Sequence, residues 1–214
     1  MLAVIAVMAA IAAAAVGSRV GTSSSSTPSP TAASPIDVIR SEHRGAPGEP
    51  DGAVGVRREP RGVLGVADGA VPDGVTVFDD EFPGVANLDQ AVLDALRRAA
   101  TDASHDGVEL FVDSGWRSRE YQERLLREAI SKYGSKAEAT RWVATPNTSA
   151  HVKGQAVDIG PSGAAAWLSG HGAAYGLCQI YANEPWHYEL RPDAGDHGCP
   201  AMYADPTHDP RTRQ

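Results

Sequence analysis

Two short strings, Ser149-Ala150-His151-Val152-Lys153-Gly154-Gln155-Ala156-Val157-Asp158 and Glu184-Pro185-Trp186-His187, put the tightest limit on how this chain can fold. Together they offer two imidazoles and two carboxylates. Three of these groups can hold a metal ion with one position left for water, and the fourth can act as a base beside it. The pattern is not the helical His-Glu-x-x-His motif, so the groups have to come from separate elements that the fold brings to one point.

His151 and Asp158 stand seven residues apart with Gly154 between them. A turn at Gly154 lets a loop and the following strand aim both side chains at the same place. Asp158 and Ala156 share a strand face, and the small Ala156 leaves room beside a metal. Glu184 and His187 are three apart, on backbone stiffened by Pro185. Zinc accepts neutral imidazole nitrogen and carboxylate oxygen, and it lowers the pKa of its water to about 7. A further carboxylate must take the water's proton and pass it to a departing amine, a task that suits Glu184. Arg117 offers a fixed positive charge for an oxyanion. Each residue also has a plainer reading: a core or surface histidine, a turn aspartate, a solvated glutamate, an ordinary ion-pair arginine, and core aromatics for Trp116 and Trp186. His43, His105, His171, His197 and His208 lie in flanks or beside helix ends and read as structural or exposed.

The expected organisation follows from composition and period. Met1 to Val16 is almost wholly apolar with no charge. It is short for a membrane span of about 20 residues but suits the centre of a secretory signal. Residues 1–21 are therefore read as a signal peptide or an N-terminal anchor, and the protein as exported. Residues 22–74, rich in Ser, Pro and Gly, are read as a flexible linker that buries too little to offset chain entropy. Residues 75–204 form the domain and 205–214 a tail. Within the domain, Asn87 is the expected cap of a helix carrying Leu88, Val92, Leu96 and Ala99, with Gly107 as its end. A strand is expected over Val108–Val112, a helix over Arg119–Tyr133 stopped by Gly134, and a shorter helix over Lys136–Val143. Further strands are expected over Gln155–Ile159, Leu177–Tyr181 and His187–Leu190, with a helix over Ala164–Leu168. This irregular order of helices and strands indicates an α+β domain.

The formal net charge of −8 over 214 residues argues against nucleic acid as a partner. With only two cysteines, Cys178 and Cys199, a cysteine-rich structural zinc site is excluded. In an exported protein the pair suggests one disulfide that ties the C-terminal segment to the domain, the alternative being two buried thiols.

With these residues in place, the chain from about Val75 to Tyr203 resembles the D-alanyl-D-alanine carboxypeptidases of the vancomycin-resistance type. The resemblance rests on Ser114-Gly115-Trp116-Arg117-Ser118 with Gln122 following, on the Ser-x-His-x-x-Gly-x-Ala-x-Asp string from Ser149 to Asp158, and on the Glu-x-x-His string from Glu184 to His187. It implies a single small α+β domain with an antiparallel sheet flanked by helices and a catalytic zinc site on the sheet. It implies one zinc ion per chain held by His151, Asp158 and His187, Glu184 as general base and Arg117 as stabiliser of the attacked carbonyl. Ser149 and Gln122 would line the substrate cleft, and Trp186 is placed with them. The implied substrate is a peptidoglycan stem peptide ending in D-Ala-D-Ala, acted on by a monomer. Wall endopeptidases that cut L-Ala-D-Glu are the nearest alternative, disfavoured by Glu184 where they tend to carry Asp. A dipeptidase is disfavoured because nothing suggests an insertion closing the cleft. A zinc-stabilised binding module without catalysis is the alternative from another class, and the retained Glu184 and Arg117 speak against it.

Overall fold

The computed structural model describes residues 64–213. The expected signal or anchor and the linker up to residue 63 lie outside the described residues. Residues 64–213 form an α+β domain built on one four-stranded sheet, with strands β1 (Phe111–Ser114), β2 (Ala156–Gly160), β3 (Leu177–Gln179) and β4 (His187–Leu190) in the order β1-β2-β4-β3. Every neighbouring pair is antiparallel. Three longer helices accompany it: α1 (Gln90–His105), α2 (Arg119–Tyr133) and α3 (Ser162–His171).

Alternation along the two central strands decides what lies on each face. Val157 and Ile159 of β2 and Tyr188 of β4 join the main core with Leu93, Leu96 and Ala99 of α1 and Ala164 and Leu168 of α3. Each large side chain buried there contributes about 2 kcal/mol of transfer free energy. Asp158 of β2 and His187 and Glu189 of β4 point to the opposite face, yet they too are buried. That face is covered by loops and by the second apolar cluster, in which Leu125, Leu126 and Ala129 of α2 pack on Ala139 and Val143. Polar groups on a covered face need partners, and there they make the site.

Helix α2 has the expected bounds. Ser118 caps its start by accepting from the Tyr121 amide at 3.0 Å, and Gly134 ends it at φ 80°. Helix α1 begins later than expected, because Asp89, not Asn87, supplies the cap. The Asp89 amide is bound to the Gly154 carbonyl at 2.8 Å, and its side chain is left to accept from Ala91. The strand expected from Val108 starts at Phe111, where pairing with β2 begins, and the short helix from Lys136 closes at Ala139.

The folded domain extends past both expected bounds. On the N-terminal side Val71 is buried, and Asp68 accepts from the Ser118 amide at 2.8 Å. The backbone at Gly69 runs so close to Trp116 that a Cβ would sit 2.1 Å from the Trp116 carbonyl oxygen. On the C-terminal side, Asp205 and Asp209 are buried rather than part of a loose tail. Cys178 and Cys199 form a disulfide, with an S–S distance of 2.03 Å.

Candidate metal centre

The turn Ala150–Gly154 delivers His151. Gly154 adopts φ 70°, and the Gly154 amide closes the turn on the His151 carbonyl at 3.0 Å. The chain then enters β2, which presents Asp158. On the other side of the sheet pairing, the Glu184–Trp186 turn closes where the His187 amide donates to the Glu184 carbonyl at 3.1 Å, and β4 starts at once. Because Asp158 and His187 are register partners, their side chains leave the sheet side by side.

The result is a tight cluster. The Asp158 Oδ1 lies 3.0 Å from the His187 Nδ1 and 3.4 Å from the His151 Nε2, and the two ring nitrogens are 3.2 Å apart. For metal–ligand bonds of about 2.0–2.1 Å, the donors on one face of a tetrahedron stand about 3.3 Å from one another. The three donors therefore fit a zinc-sized ion. Among the described residues, His151, Asp158 and His187 are the group of His, Cys, Asp or Glu side chains arranged to hold one. Both rings are also oriented by partners on their far nitrogens. His151 Nδ1 is 2.8 Å from the Gly115 carbonyl oxygen, and His187 Nε2 is 3.3 Å from Glu189 Oε1. Donation through these nitrogens would leave the nitrogens that face Asp158 as the ones offered to a metal.

Arg117 is buried behind Asp158. Its Nη2 donates to Asp158 Oδ2 at 2.9 Å, its Nε to Ser114 Oγ at 2.7 Å and its Nη1 to Gln122 Oε1 at 3.1 Å. Three of its five N–H groups are engaged in this way, and two remain. Gln122, expected to line the cleft for substrate, has both ends of its amide engaged, since Nε2 also donates to the Ala144 carbonyl at 2.8 Å. It also lines the cleft. Ser149 and Trp186 are nearly covered and line a cleft together with Trp142, Tyr181 and Glu184. Glu184 Oε2 approaches His187 Nδ1 to 3.8 Å, while Oε1 is buried with no hydrogen-bond partner among the described residues.

The electrostatics follow from crowding ionisable groups into a covered site. Burial alone would raise Asp158, but His151, His187 and Arg117 hold its carboxyl well below the usual carboxylate range. Burial, with Arg117 nearby, lowers His151. Burial also works against charging His187, yet its hydrogen bonds to Asp158 and Glu189 prevail and push it up to about 10. Glu184 is lifted to about 8, chiefly by burial.

Several residues of the site were not singled out from sequence. Ser114 lies inside the Ser-Gly-Trp-Arg-Ser string but gives no sign of its bond to Arg117. Glu189 could have been found from the two-residue period of β4, which turns it to the same side as His187. Tyr181 stacks on the His187 ring with centroids 5.2 Å apart, and Arg211 reaches Glu189 from the C-terminal segment. No local signal marks either.

Residues 85–193, about half of the chain, match the family described as VanY, D-alanyl-D-alanine carboxypeptidase. A D-alanyl-D-alanine carboxypeptidase of Enterococcus faecalis is 32% identical over 139 residues, covering 52% of this chain and 52% of the relative. The chain thus spans about half the length of the curated relative it matches. Among solved structures, a mutant of the vancomycin-resistance D,D-pentapeptidase VanY in complex with Zn(II) is 30% identical, with 48% of this chain and 72% of that chain covered and a TM-score of 0.46. VanYB in complex with D-alanine-D-alanine is 32% identical, with 48% and 71% covered and a TM-score of 0.46.

Proposed function

This chain belongs to the VanY family of D-alanyl-D-alanine carboxypeptidases, and from that premise we propose that it is a zinc metallopeptidase that removes the terminal D-Ala from peptidoglycan stem peptides ending in D-Ala-D-Ala. The observation that carries this reading is the meeting of His151, Asp158 and His187 donors within 3.0–3.4 Å of one another, with Glu184 beside them. Bound there, zinc supplies Lewis acidity, which brings the pKa of water down to about 7 and polarises a peptide carbonyl.

The chain's own groups do the rest. Glu184 Oε1 has no hydrogen-bond partner among the described residues, and it takes a proton from the attacking water and returns it to the departing amine. Burial raises its carboxyl in the metal-free fold, which favours its holding a proton that it takes. The two uncommitted N–H groups of Arg117 steady the carbonyl oxygen as charge develops on it. Ser114, Gln122 and Asp158 hold the guanidinium in place for that. Ser149 and Trp186 form part of the wall against which the peptide lies. Such a substrate lies outside the cytoplasm, and both the apolar Met1–Val16 run and the Cys178–Cys199 disulfide support export.

The test is to incubate the full chain and zinc with a stem pentapeptide ending in D-Ala-D-Ala and identify the products by mass spectrometry. Release of a single D-Ala is the expected outcome. Cleavage at L-Ala-D-Glu without D-Ala release would make the protein an endopeptidase. Bound zinc and bound peptide with no cleavage would make it a binding module.

A further inference from the structure

The segment 194–213 lies beyond the residues that match the family, and part of it reaches the metal centre from behind. Glu189 is 2% exposed, on the same side of β4 as His187. A carboxylate so covered needs charged partners. It has them in Arg191, with Nη2 at 2.9 Å, and in Arg211, whose Nη1 donates to Oε2 at 2.6 Å and Nη2 to Oε1 at 3.3 Å. Oε1 is also the atom that faces His187 Nε2 at 3.3 Å. Arg211 is itself held by Asp209, its Nε lying 3.1 and 3.0 Å from the two carboxylate oxygens. Asp209 is fully buried and also accepts from the Tyr181 hydroxyl at 3.0 Å, the ring that stacks on His187. Two routes therefore run from the last turns of the chain to one imidazole.

We propose that Arg211 is a positioning residue: by clamping the Glu189 carboxylate it fixes the His187 ring with Nε2–H donated and Nδ1 bare toward Asp158, so that the C-terminal segment is part of the metal centre. This inference rests on the reading of His151, Asp158 and His187 as a zinc site. A ligand imidazole anchored by a carboxylate gains basicity and a single orientation, and loss of such a partner typically costs about 10–100-fold in metal affinity. Arg191 remains on Glu189 when Arg211 is removed, which places the expected loss at the lower end of that range.

The experiment measures zinc affinity by competition with a chromogenic chelator, and the visible spectrum of the cobalt-loaded protein, for the full chain and for Arg211→Gln, Arg211→Lys and Asp205→Asn. Asp205 holds the same segment through Arg141 and Thr207 without touching Glu189. Arg211→Gln should bind zinc about tenfold more weakly and shift the cobalt bands, Arg211→Lys should recover part of both, and Asp205→Asn should change neither. Affinity within twofold of the unaltered chain in Arg211→Gln would overturn the proposal, as would an equal loss in Asp205→Asn. If the unaltered chain binds no zinc, the metal-centre reading fails and this inference fails with it.

Discussion

Asp158 and His187 stand directly opposite each other across the pairing of β2 with β4, and their facing atoms approach to 3.0 Å. The sheet register therefore assembles the centre. A slip of one residue would turn His187 toward the core and put Tyr188, which now packs in the core, in its place. The apolar alternation that buries Val157, Ile159 and Tyr188 on one face thus guarantees the meeting of ligands on the other.

Asp158 is also the counter-charge of Arg117, which is 4% exposed. Asp158→Ala should abolish zinc binding and leave a buried guanidinium short of its anionic partner. Breaking a buried pair from one side costs about 3–5 kcal/mol. Urea unfolding of the metal-stripped variant should show a loss of that size. A fall below about 1 kcal/mol would mean that Arg117 finds another anion.

Glu184→Ala should keep zinc and lose turnover by about 100-fold or more, the scale of a general base. The same residue makes a prediction about pH. A carboxyl raised in the fold to about 8 favours the folded state less once pH passes its unfolded value near 4.5, and the penalty grows until about pH 8. In metal-stripped protein, Glu184→Gln should therefore be more stable than the unaltered chain at pH 8, and equal to it below about pH 4. Stability curves that stay parallel across that range would show that Glu184 is not charged at a cost.

Where local pattern and tertiary demand agreed, the structure was legible in sequence. Helix α2 has the expected bounds and the expected glycine stop, and Ser118 supplies its cap. The His151–Asp158 and Glu184–His187 strings were legible because each is a short, stiff piece whose side chains are committed within a few residues. The cap of α1 was not, since Asn87 and Asp89 are equally good caps locally and the Gly154 carbonyl decides between them. Residues 64–74 read as linker because Gly, Pro and Asp break up their few apolar residues, and 205–213 read as tail because they are polar and carry two prolines. Their order comes from contacts far along the chain, such as Asp68 with Ser118 and Arg211 with Glu189, which no local window contains. Gln122 lines the cleft, and its bond to the Ala144 carbonyl, 22 residues along the chain, left no local mark.

Asp205 carries a prediction about stability in acid. Burial alone would raise its carboxyl, but hydrogen bonds from Thr207, His208 and Arg141 bring it down to about 2. A depressed carboxyl contributes stability that is fully present above its unfolded value near 4 and is lost as pH falls through about 2. The contribution is about 2 kcal/mol. Asp205→Asn should be less stable by that amount at pH 6, with the difference shrinking between pH 4 and pH 2. Urea unfolding across that window checks it, and a constant difference down to pH 2 would contradict it.

Gly154 and Gly107 offer a paired test of the turn that carries His151. Both have positive φ, 70° and 73°, so alanine at either is strained by about 1 kcal/mol. At Gly107 a Cβ would meet nothing within 4 Å among the described residues, and the cost should end there. At Gly154 it would lie 2.6 Å from the Asn87 carbonyl oxygen and 3.0 Å from the Asp89 nitrogen, backbone that cannot swing aside as a side chain could. Relief requires the turn to move away from the start of α1, and His151 on one side and Asp158 on the other move with it. Gly154→Ala should therefore cost about 2 kcal/mol or more in urea unfolding and weaken zinc binding, while Gly107→Ala costs about 1 kcal/mol and leaves zinc affinity unchanged. If both variants lose stability equally and bind zinc alike, the turn is not what sets the distance between His151 and Asp158.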